Sequence, residues 1–139
     1  DRHWDRVYLA TGIKLNPVDF TSDKPRTVTH ILKCGAVPHS EVIQKISVEA
    51  TQEQMLEEMM GKIKGMWTDA EFEIKAYKDH NDVYILGGVE EVQQLMDESM
   101  TMIGIITASR YVGGIRSEVD KLENSLTMLQ GTMDEWLAV

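Results

Sequence analysis

Asp79, His80 and Asp82 stand within one short stretch, and a carboxylate–imidazole–carboxylate set can hold a divalent cation. They bring no matching second ligand group, and a polar hairpin turn accounts for them better. Cys34 follows His30 at i+4, a spacing that suits a thiol–imidazole pair but on a short helix more often serves packing. His3, His30 and His39 are scattered and make no metal-ligand spacing. Gly87-Gly88 and Gly113-Gly114 sit where helices begin; a phosphate nest there is conceivable, and a plain turn is the simpler reading. There is no Gly-x-x-x-x-Gly-Lys-Ser/Thr, so the chain does not cradle a triphosphate in the P-loop manner. The expectation is a chain with no catalytic, cofactor-binding or metal-binding residues.

Composition narrows the partners. The formal net charge is −9, which argues against nucleic acid, anionic lipid and the acidic surface of a microtubule as direct partners. Lys62 and Lys64 are the best basic patch, and Glu57, Glu58 and Asp69 dilute it. The longest apolar run, Met100 to Ala108, is interrupted by Thr101, Gly104 and Thr107, too short and too polar to span a bilayer. The first residues, Asp1-Arg2-His3-Trp4, lack the layout of a signal peptide, and a lone Cys34 excludes an internal disulfide. These features lead us to expect a soluble intracellular protein with a core of ordinary size for 139 residues.

The elements follow from periodicity. Trp4, Val7 and Tyr8 predict a short helix from His3 to Ala10, stopped by Gly12. Asn16-Pro17 and Asp23-Lys24-Pro25 mark a loop over 14–26. Thr27 is placed to N-cap a brief helix to Lys33, with Gly35 just beyond its end. Val42, Ile43, Ile46 and Ala50 give a further helix. Thr51-Gln52-Glu53-Gln54 has the form of a capping box, which starts a new helix or interrupts a long one. Met55, Leu56, Met59, Ile63, Met66 and Trp67 supply the next stripe, with Gly61 and Gly65 inside it, either weakening the helix or marking a close approach. The nine methionines read as gap-fillers of a helical core.

At Phe72 the period changes to two. Phe72, Ile74 and Ala76 alternate with Glu71, Glu73 and Lys75, which predicts a strand with one buried face. A polar turn follows, then Val83-Tyr84-Ile85-Leu86 as a second strand. Val89, Val92, Leu95, Met96, Ser99, Met102, Ile103 and Ile106 form the buried stripe of a helix over 89–108. The most regular pattern comes last: Val112, Ile115, Val119, Leu122, Leu126, Leu129, Met133 and Trp136 step by threes and fours. That places them on one stripe of a helix over 115–139, built for packing. No C-cap glycine or proline closes it, which suggests a piece of a larger chain.

The predicted fold class is mainly α: a single segment, 1–139, of a multi-helix bundle or rod, with helices over 1–68 and one β-hairpin at about 72–86. Trp4, Trp67 and Trp136 read as anchors where helices meet, and Phe72, Tyr77 and Tyr84 as packing residues of the hairpin.

Several blocks in order carry a resemblance. Ala76-Tyr77-Lys78-Asp79, the turn, Val83-Tyr84-Ile85-Leu86-Gly87 and Val89-Glu90-Glu91-Val92-Gln93 resemble the linker region of dynein heavy chains. The likeness continues through Ser109-Arg110-Tyr111-Val112 to Asp134-Glu135-Trp136-Leu137 and is closer to the axonemal than to the cytoplasmic branch. Axonemal relatives often carry a Ser-Pro-aromatic turn between the last two helices; Ala108-Ser109-Arg110-Tyr111 lacks the proline.

The resemblance implies a non-catalytic mechanical segment. A linker is a helical lever over a ring of AAA+ modules that bind ATP and Mg and couple hydrolysis to movement along microtubules. Its partners would be flanking linker helices and the ring of the same heavy chain, with other dynein subunits possible. No nucleic acid, membrane or direct microtubule contact is implied, and the setting would be the cytoskeleton of a cilium or flagellum. The alternative is an independent helical interaction module that pairs through the stripe from Val112 to Trp136.

Overall fold

The first helix, α1 (Arg2–Thr11), buries Val7 and ends where Gly12 turns to φ +71°. Thr11 closes it, its hydroxyl donating to the Val7 carbonyl at 2.7 Å and accepting from the Ile13 amide at 3.1 Å. The second, α2 (Val28–Lys33), is capped by Thr27 Oγ1, which accepts from the His30 amide at 3.1 Å. Gly35 beyond it sits at φ +75°, as its place after the helix requires. These positions come from a computed structural model, which describes residues 2–17, 20, 27–78 and 82–138. Most of the expected loop over 14–26, and Asp79 and His80 of the polar turn, lie outside the described residues.

One helix, α3 (Ser40–Thr68), replaces the two allowed by the capping-box pattern. Thr51 does not cap. Its hydroxyl donates to the carbonyl of Ser47 one turn back, at 2.9 Å. Glu53, inside the same pattern, gives its carboxylate to Arg2 and His3. Among the described residues Gly61 and Gly65 mark no close approach: a Cβ added at either meets none of them within 4 Å.

The hairpin pairs β1 (Glu73–Ala76) with β2 (Tyr84–Gly87) in antiparallel register, Ile74 opposite Leu86 and Ala76 opposite Tyr84. Opposed residues share a face, so Ile74, Ala76, Tyr84 and Leu86 make the apolar one. That face is not buried as the alternation suggested. Ile74 is 68% and Tyr84 62% exposed, because no described residue covers them.

Gly88, at φ +66°, leads into α4 (Val89–Ala108), where Glu90 and Glu91 stand in the first turn. The joint that lacks the proline is turned by Ser109: its backbone is extended and its hydroxyl accepts from the Tyr111 amide at 3.2 Å. Val112–Gly114 form a 3₁₀ turn, and α5 (Arg116–Ala138) completes the described chain. At 1.5 Å per residue its 23 residues span about 35 Å.

The chain divides into two compact units, residues 1–54 and 55–139. The first has a small core of Val7, Leu15, Ala36 and Ile46, with Trp4, Ile13, Ile31 and Ile43 against it. The second has the larger core, in which Leu56, Met60 and Ile63 of α3 meet Met96, Ile103 and Ile106 of α4 and Val119 and Leu126 of α5. Mainly α with one hairpin is the fold class that results.

Candidate functional site

The regular ladder is the feature that demands a role, and the second unit shows how it is used. Val112 and Ile115 are buried, but in and after the 3₁₀ turn, not on the α-helix; the Ile115 amide donates to the Val112 carbonyl at 2.9 Å. Val119, Leu126 and Met133 are the buried rungs of α5. Leu122 and Leu129, offset from these, lie partly buried against the same core. Trp136, the last rung, is 58% exposed. The stripe is therefore consumed within its own unit up to Met133, which removes most of the surface that an independent pairing module would need.

Facing helices supply complementary stripes. On α4 the buried positions are Val92, Met96, Ser99, Ile103 and Ile106, again at alternating steps of four and three. On α3 they are Leu56, Met60 and Ile63, while Trp67 packs at the edge and donates from Nε1 to Ser99 Oγ at 2.9 Å. Met60 is absent from the stripe read in the sequence, although its place between Leu56 and Ile63 at i+4 and i−3 marks it. Met55, expected on that stripe, is exposed. The methionines divide accordingly, with Met60, Met96 and Met133 buried and Met55 and Met128 exposed.

Of the remaining aromatic residues singled out, Trp4 packs against the core of the first unit and Phe72 is half-buried. Tyr77 and Tyr84 are exposed. Lys78 stacks its ammonium 5.0 Å from the Tyr77 ring centre.

The first unit holds a charged cluster that sequence spacing does not reveal. Glu53 is buried, His3 Nε2 lies 2.7 Å from its Oε2, and Arg2 pairs with its other oxygen. Arg6 donates to Glu49 at 2.6 Å one turn earlier on α3. Burial pushes the Glu53 carboxyl up, but hydrogen bonds from Arg2 and His3 outweigh it and hold it below its ordinary 4.5. The Arg6 hydrogen bond holds Glu49 below the same value. Both carboxylates, four residues apart on α3, are held by cations of α1, so the cluster fastens α1 to α3.

No arrangement for bond chemistry emerges. His30 meets Phe20 edge-on, ring centres 5.5 Å apart, and Gly113-Gly114 are part of the 3₁₀ turn. Among the described residues no three His, Cys, Asp or Glu side chains gather as a metal set, and no helix is long and apolar enough to cross a membrane. What the packed stripes can do is transmit displacement, since close-packed interiors compress little.

Comparison with known proteins decides the family. Residues 1–139 match the family described as dynein heavy chain, N-terminal region 2. The chain belongs to the dynein heavy chains. It is similar to human dynein axonemal heavy chain 6, 32% identical over 98% of this chain and 3% of that protein. Rat dynein axonemal heavy chain 12 is 32% identical over 99% of this chain and 4% of its own length. The dynein gamma chain of the flagellar outer arm of Chlamydomonas reinhardtii is 25% identical over 100% of this chain and 3% of its own. This chain thus spans only 3–4% of the heavy chains it matches. The resemblance read from Tyr77-Lys78-Asp79 and Tyr84-Ile85-Leu86-Gly87 is in agreement with this family.

Proposed function

We propose that this chain is a mechanical segment of a dynein heavy-chain linker, without catalysis of its own. In this reading ATP and Mg are bound and turned over in the AAA+ ring of the same heavy chain. The linker carries the resulting change of shape to movement along microtubules, and this segment is part of the lever. The observation that carries the proposal is the ladder of α5: a continuous stripe locked into stripes of α3 and α4 in a chain of this family. A lever must resist bending within a strut, and interdigitated rungs on three helices supply that resistance. Its partners are then the flanking linker helices and the ring, and the axonemal and flagellar names of its relatives favour the axoneme of a cilium or flagellum.

The test is made in the complete heavy chain, with Leu122, Leu126 and Leu129 changed together to Ala. Microtubule gliding is expected to slow while ATP turnover continues, because the ring works against a softened strut. Gliding and ATPase both at wild-type level would remove the ladder from the lever.

A further inference from the structure

We draw no further inference here: the strongest candidate, the apolar face of the β1–β2 hairpin on which Ile74 and Tyr84 stand exposed, is an unpartnered surface, and nothing in the structure shows what covers it.

Discussion

Trp67 Nε1 donates a hydrogen bond to Ser99 Oγ at 2.9 Å, and the serine is fully buried in the middle of an otherwise apolar stripe. A serine at that position would be a poor choice for packing alone. Its hydroxyl gives the indole the acceptor it needs when its ring is packed at the edge of a core. The pair adds one directional contact between α3 and α4 to the apolar packing of their rungs.

The first prediction follows from that asymmetry. Ser99→Ala leaves the indole N–H without its acceptor and is expected to cost about 1–3 kcal/mol. Trp67→Phe removes the donor, and in that background Ser99→Ala should cost clearly less. A double-mutant cycle by urea denaturation measures the coupling; additive losses would show that the bond contributes nothing.

Rungs should differ by depth and not by residue type. Val119 and Ile63 are fully buried, so Ile63→Ala is expected to lose about 2–5 kcal/mol. Met128 lies on the same helix as Val119 but is 74% exposed, and Met128→Ala should stay within about 0.5 kcal/mol of wild type. Thermal unfolding of the two variants in parallel checks the contrast, and comparable losses would contradict the packing described.

The same contrast explains which features can be read from residue order. The alternating steps of α4 and α5 are local geometry, so their buried faces are legible in the amino-acid sequence alone. Glu53 is not. Its partners, Arg2 and His3, lie about fifty residues away in sequence, and the four-residue pattern Thr51 to Gln54 imitates a helix start although α3 runs through it unbroken. The hairpin fails in the opposite direction. Its strands are legible from the period of two, but burial of its apolar face needs a surface that no described residue provides. Trp136 ends the ladder in the same situation: the stripe continues where the packing of the second unit does not.

Acid should loosen the first unit through Glu53. Its folded pKa is depressed below the ordinary 4.5, so the ionised carboxylate contributes stability above that value. The contribution fades as pH falls from about 4.5 through the lower folded pKa. Glu53→Gln should flatten this acid limb and, near neutral pH, cost about 1–3 kcal/mol by replacing charge-assisted hydrogen bonds with weaker ones. Denaturation followed from neutral to acidic pH is the measurement, and an acid limb unchanged by the substitution would assign it to other groups.

Gly61 and Gly65 provide a test that runs toward greater stability. Both lie inside α3, where glycine is less favourable than alanine by roughly 1 kcal/mol, and neither has a neighbour among the described residues that a Cβ would strike. Gly61→Ala and Gly65→Ala should therefore each raise the unfolding free energy by about 0.5–1 kcal/mol, and the pair should be close to additive unless the new methyl groups couple. Lower stability would mean that something outside the described residues presses on this face of α3 closely enough to exclude a methyl group. Measured on the isolated segment and again in the complete heavy chain, the sign of the change separates these cases: a gain in the first and a loss in the second would place a neighbouring helix against Gly61 and Gly65.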